Sequence, residues 1–276
     1  MKKIIIKING EKEFLYDVSG YIVGLNDFSI LFGKTYDVDE IKEIRKKFSN
    51  KKIFVSLNKP IFNDDLDNYK KVLIKLDELG LDGIIASDVS ILTYNLKTNI
   101  ILDFMHLNNS YETINHYYNN GAYGVFLTND ITFDEINEIK ANSKVELFKQ
   151  VFGYAHLSTS KRKFISNYFE YYNKKRYNAK YYEISEDKNN YYKIIEDNNL
   201  THILSDKVLN LLEYFNSINA DYYVIDSYMI DKDISIVVNS FMEGNTKNNE
   251  KINDLYDADN GFINKKTIYK VVKNEE

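Results

Sequence analysis

Ile53-Phe54-Val55-Ser56-Leu57 is followed, after a polar break, by Asp64-Asp65-Leu66-Asp67-Asn68-Tyr69-Lys70-Lys71-Val72-Leu73-Ile74-Lys75-Leu76-Asp77-Glu78-Leu79-Gly80, and then by Gly83-Ile84-Ile85-Ala86. The two outer runs are short, continuous and apolar, the pattern of strands buried on both faces. In the run between them, Leu66, Tyr69, Leu73, Leu76 and Leu79 recur at three- and four-residue steps and share one helix face. Gly80 is placed to cap that helix. Strand, helix and buried strand in succession make a βαβ unit, and hence a parallel pair.

Working outward, the same alternation repeats. Strands are predicted at residues 3–8, 21–25, 53–57, 83–86, 99–103, 124–127, 145–151 and 222–225. Asp37 with Glu40, and Thr132 with Glu135, fit the capping box that opens a helix. Ser110 to Asn119 with Gly121 repeats the helix-and-glycine pattern. Eight such units predict an α/β fold of the TIM-like (β/α)8 barrel type, spanning residues 1–242. The alternation fails at about 174–204, where short strands around polar turns predict a small β insertion. Residues 243–260 are polar and Asn-rich and read as a loop; residues 267–272 read as a final docking strand.

The chain has 276 residues and a net charge of −5, so a nucleic-acid partner would have to be met by a local patch rather than by the whole surface. Its longest apolar runs fall far short of the roughly 20 residues that span a membrane, and the amino terminus has no signal-type apolar region, which predicts a soluble, cytoplasmic protein. Cysteine is absent. That removes disulfides, thiolate nucleophiles, zinc–thiolate sites and cysteine-held iron–sulfur clusters.

Gly80-Leu81-Asp82-Gly83-Ile84-Ile85-Ala86-Ser87-Asp88 is similar to a "GVDGIIVSD" element. Residues 153–168 have the length of a longer signature, G-[SA]-[LIVM]-C-x4-G-x-C-x-[LIVM]-S, in which Gly153, Ile165 and Ser166 keep their places. Residues 204–212 resemble an "S-x-D-L-x-x-L" helix and 221–227 the strand after it. In this order the segments resemble the collagenase-like peptidases, peptidase family U32. In several branches of that family, four cysteines hold an iron–sulfur cluster used to hydroxylate tRNA, rRNA or a quinone precursor. Here His156, Lys163, Asn173 and Tyr177 stand at or near those positions, so the cluster is excluded by ligand chemistry. The resemblance implies a protease by family name, of undetermined substrate, or a non-catalytic or cluster-free RNA-related protein.

Barrel enzymes carry their chemistry at the C-terminal strand ends. Candidates there are Asp88, Asp103, His106, His156 and Asp226, as an acid/base set or, with a divalent metal left open, as ligands. Helix capping and ordinary structural hydrogen bonds are the competing explanation for each. No H-E-x-x-H occurs to support a zinc protease. Lys161, Arg162 and Lys163, with Tyr168 and Arg176, form a basic, tyrosine-rich segment that would meet phosphates and stack on bases if RNA, rather than a protein or peptide, is the partner. A solvated helix face is the alternative.

Overall fold

The structure, a computed structural model, describes residues 2–104, 108–185, 190–197 and 199–265. Its strands are β1 (Lys3–Lys7), β2 (Gly20–Leu25), the short β3 (Thr35–Tyr36), β4 (Lys52–Leu57), β5 (Gly83–Ala86), β6 (Ile100–Leu102), β7 (Gly124–Phe126), β8 (Glu146–Ser160), β9 (Tyr182–Ser185), β10 (Tyr191–Asp197), β11 (Leu200–Asn210), β12 (Tyr222–Asp226) and β13 (Ala258–Asp259). Its α-helices are α1 (Val38–Lys47), α2 (Leu66–Asp77), α3 (Tyr111–Asn119), α4 (Phe133–Asn142), α5 (Phe164–Tyr171), α6 (Ser235–Glu243) and α7 (Asn249–Tyr256).

Eight strands close a parallel ring in the order β12, β1, β2, β4, β5, β6, β7, β8, with β8 returning to β12. This is the TIM-like barrel that the alternation predicts. Both capping boxes form, Asp37 with Glu40 and Thr132 with Glu135. In α2, Tyr69, Leu73 and Leu76 are buried as one stripe, and Gly80 follows in the left-handed region at φ +65°.

The strands carry two sets of side chains. Ile5, Ile22, Phe54, Ile85, Ile101, Phe148, Tyr222 and Val224 point inward and fill the ring. Phe148 stacks on Tyr222 with centroids 4.4 Å apart and on Phe126 at 5.1 Å. The alternate residues, Ile4, Ile6, Val23, Val55 and Ile84 among them, pack against the helices in one continuous core. An interior closed by aromatic rings is a packed core and not a pore, so ligands can be met only at its ends.

Past the ring, β8 continues outward and its far half pairs antiparallel with β11, which pairs with β10 and then β9. The inserted sheet thus reaches beyond the predicted 174–204 at both ends. It also corrects the reading of residues 204–212 as a helix, because β11 runs to Asn210. The register slips between Leu204 and Val208; a bulge of this kind spaces inward-facing apolar residues at helix-like intervals inside a strand.

The predicted loop at 243–260 is corrected as well. Gly244, at φ +62°, ends α6, and α7 then buries Ile252 and Tyr256, two anchors four residues apart in an otherwise polar run. The docking strand predicted at 267–272 lies outside the described residues. Among the described residues, no helix is long and apolar enough to cross a membrane.

Candidate active site at the barrel mouth

The inserted sheet lies over the C-terminal end of the barrel on one side. Ile195, Leu200 and Leu204 from the insert pack with Ile30 and Leu31 after β2, and with Phe62, Tyr154, Tyr181, Tyr228 and Met229. Below this cover is a cavity of about 100 Å³ lined by strand-end residues, including Lys7, Phe32, Asn58, Asp103, Phe126, Asn129, Gln150, Tyr154, His156, Asp226 and Tyr228. Its size suits one ring or one functional group of a larger ligand rather than a whole drug-sized molecule. On the β7 side, Thr128, Asn129 and His156 also line a second cavity of about 620 Å³.

Asp226 is held by three donors. Lys7 Nζ donates to its Oδ2 at 2.9 Å, Asn9 Nδ2 to its Oδ1 at 2.9 Å, and the Tyr228 backbone N–H to Oδ1 at 2.8 Å. Lys7 also donates to the Leu31 carbonyl at 2.6 Å and lies 4.3 Å from the Phe32 ring centroid. Burial pushes the Tyr228 phenol up to about 12, which keeps it a neutral donor at physiological pH. Lys7 is not among the sequence candidates, because a lysine flanking the buried run at residues 4–6 reads as a strand end in water.

On the opposite wall, Asn129 Nδ2 donates to Gln150 Oε1 at 2.8 Å and Gln150 Nε2 donates to the Tyr154 carbonyl at 3.1 Å. Behind them is Lys149, 1% exposed, donating to Thr128 O and Asn129 Oδ1, each at 2.8 Å. Burial pushes its ammonium down to about 7, partly opposed by Asp130. Gly153 makes the local turn possible: its φ is +120°, and a Cβ there would lie 2.2 Å from the Asp226 carbonyl oxygen. No side chain fits that close approach to β12.

The remaining candidates divide. Asp103 lines the cavity with Asp226 and His156. Asp88 does not line it; its Oδ1 accepts from the Ser90 N–H and caps a 3-10 turn. His106 lies outside the described residues. His156 Nε2 sits 3.0 Å from Ser158 O and 2.8 Å from Thr159 Oγ1, which is 2.9 Å from His202 Nδ1. His202 is fully buried, and burial pushes it down to about 4 despite Asp197. Among the described residues, no three His, Asp or Glu side chains gather as a metal-holding group.

The basic segment is on the outer side of the cover. Lys161, Arg162, Lys163 and Tyr168 are exposed, as are Tyr171, Tyr172 and Tyr177 at 82%, 56% and 61%. Lys161 Nζ lies 3.8 Å from the Phe62 ring centroid at the barrel rim. Lys174 lies over both Tyr168 and Tyr172. Arg176 is exposed but tied down at the surface, donating to Ser166 Oγ and Glu196 Oε1 at 3.0 Å each.

The positions matching the family's cysteines do not fit a cluster. His156 is bonded within the sheet, Lys163 is solvated ahead of α5, and Asn173 sits at φ +51°. Tyr177 packs its ring 5.9 Å from Phe169 and 4.9 Å from Tyr182. Aromatic packing stands where thiolates would be needed, and no donor set here replaces them.

Known proteins resemble the chain in sequence and fold. The chain is 29% identical to the tRNA hydroxylation protein P2 of Bacillus subtilis (strain 168) over 267 residues, covering 84% of this chain and 85% of that one. Among solved structures it is similar to the U32 peptidase Mk0906, with TM-score 0.53 and 15% identity over 82% of this chain and 92% of that one. The family model described as peptidase family U32 matches residues 21–251, and the chain therefore belongs to peptidase family U32.

Proposed function

We propose that this protein is a cluster-free, RNA-binding member of its family that serves tRNA hydroxylation, meeting RNA through Lys161, Arg162, Lys163 and the Tyr168 face. The observation that carries the reading is the exposed row of tyrosines interleaved with lysines beside the barrel rim. Buried apolar area explains most aromatic side chains, but these are held out in water, where they offer stacking surfaces next to cations. The similar protein named for tRNA hydroxylation supports the same direction. A proteolytic role has the family name behind it. However, Ser166, the signature serine, bonds to Glu196 and Arg176, an arrangement that gives it no base of the histidine kind.

The test is salt-dependent binding of tRNA by fluorescence anisotropy. Changing Lys161, Arg162 and Lys163 together to Ala is expected to weaken binding and to lower the slope of log K against log salt by up to ~2, at ~0.7 for each single-strand phosphate that is no longer neutralised. Unchanged affinity and slope would exclude this face as the RNA site. Cleavage of gelatin or a peptide library by the purified protein would return the peptidase reading to first place.

A further inference from the structure

The amide wall of the mouth has a direction. Below about pH 7 Lys149 is an ammonium and only donates, so the Asn129 atom facing its Nζ at 2.8 Å is Oδ1. Nδ2 is thereby turned toward Gln150 and donates to its Oε1 at 2.8 Å. That in turn leaves Gln150 Nε2 for the Tyr154 carbonyl, which only accepts, at 3.1 Å. An obligate donor at one end and an obligate acceptor at the other fix both amides in one orientation. Each NH2 group then spends one N–H within the wall. The second N–H of Asn129 and that of Gln150 have no protein partner among the described residues, and both side chains line the cavity.

We propose that Lys149 sets the polarity of the mouth: acting through Asn129 and Gln150, it presents N–H donors to the ligand and so selects planar rings edged by carbonyl oxygens over rings edged by amino groups. Lys149 does not line the cavity, so its part is that of a positioning residue. A ligand edged by donors would leave the wall's N–H groups buried and unpaired, which is where discrimination by hydrogen bonding is strongest. Phe32 and Phe126 line the same cavity and give it apolar walls for a flat ring. Lys7 is already paired with Asp226 at 2.9 Å, so it offers no free cation to a phosphate in the mouth itself. A base turned out of an RNA strand, with its phosphates left outside, has the required shape and edge. The inference rests on the RNA reading only in taking a nucleobase as the ring.

Free uridine and cytidine, which carry no phosphate, probe the mouth apart from the outer face. Ligand-observed NMR titration at about pH 6, where Lys149 is an ammonium, is expected to show saturable binding of uridine at least about tenfold tighter than cytidine, the effect of one mismatched hydrogen bond. In K149M the amides lose their fixed end, and the preference is expected to fall to near parity. In N129D the buried charge keeps a partner, yet Gln150 must turn its donors inward to the new carboxylate, so the preference is again lost even if K149M does not fold. The Asn129 and Gln150 side-chain amide signals should shift in K149M, and those of Gln150 in N129D. Retention of the tenfold preference in N129D, or no uridine binding to the wild type, overturns the proposal. Loss of tRNA binding in the Lys161, Arg162, Lys163 variant bears on the outer face alone, provided that the uridine preference stays intact there as expected; its disappearance in that variant would contradict the separation of mouth from face.

Discussion

Lys7 and Asp226 are register partners across the seam between the first and last strands of the barrel, and their side chains meet at 2.9 Å in the mouth. The pair is largely buried, with side-chain exposures of 13% and 15%. Asp226 therefore has a structural duty whatever else it does.

Removing one partner of such a pair strands the other charge. D226A is expected to cost about 3–5 kcal/mol, read as a lower urea midpoint with an unchanged m-value. The double variant K7M/D226L should recover much of that loss, because replacing both charges by apolar groups is often close to neutral. If D226A has wild-type stability, the pair does not hold the seam.

Lys149 gives a pH dependence with a definite sign. Its folded pKa, about 7, lies below the ordinary lysine value of 10.5. Above pH 7 the unfolded chain therefore binds a proton that the folded chain does not, and stability rises with pH from about 7 to 10.5. The size is on the order of 5 kcal/mol across that window. K149M should flatten this slope in urea titrations taken at several pH values; a slope that survives the substitution belongs to another group.

His202 acts at the other end of the scale. Its folded pKa of about 4 lies below the ordinary 6.5, so the folded chain is under-protonated between these values and stability falls as pH drops from 6.5 to 4. About 3 kcal/mol is at stake. H202L should remove this acid limb from thermal melts, and an unchanged limb would mean that His202 is accessible to protonation.

Arg176 and the lysines near it separate by their partners. Arg176 is tied to Glu196, whose side chain is only 9% exposed, so R176A should lower stability by up to about 1 kcal/mol and change tRNA affinity far less than the Lys161, Arg162, Lys163 variant does. Equal losses of affinity from both would place Arg176 on the RNA.

The barrel is legible in the sequence because each ring strand is buried on both faces and each helix declares itself by period or cap; Gly83-Ile84-Ile85-Ala86 and the Thr132 capping box are local signals. Lys149 is not legible. Between Phe148 and Gln150 it is a charge within a largely apolar stretch of strand, which in sequence reads as a solvated position, whereas in the fold it is 1% exposed and bonded to Thr128 and Asn129. Asp88 reads as a mouth acid because its place after β5 fits, but whether such a carboxylate faces the ligand or caps its own turn is decided by the direction of the following turn. Residues 204–212 mislead for a similar reason, since a bulge within a strand imitates helical spacing. The tyrosine face is visible as composition; that Lys174 lies over it while the exposed Arg176 is paired with Glu196 depends on a carboxylate distant in sequence.

The proposed role in tRNA hydroxylation is tested most directly by mass spectrometry of hydroxylated uridines in total tRNA from cells lacking this protein, complemented either with the wild type or with the Lys161, Arg162, Lys163 to Ala variant. The modification is expected to fall without the protein, to return with the wild type, and to stay low with the variant. Undiminished modification in the deletion strain would contradict that role.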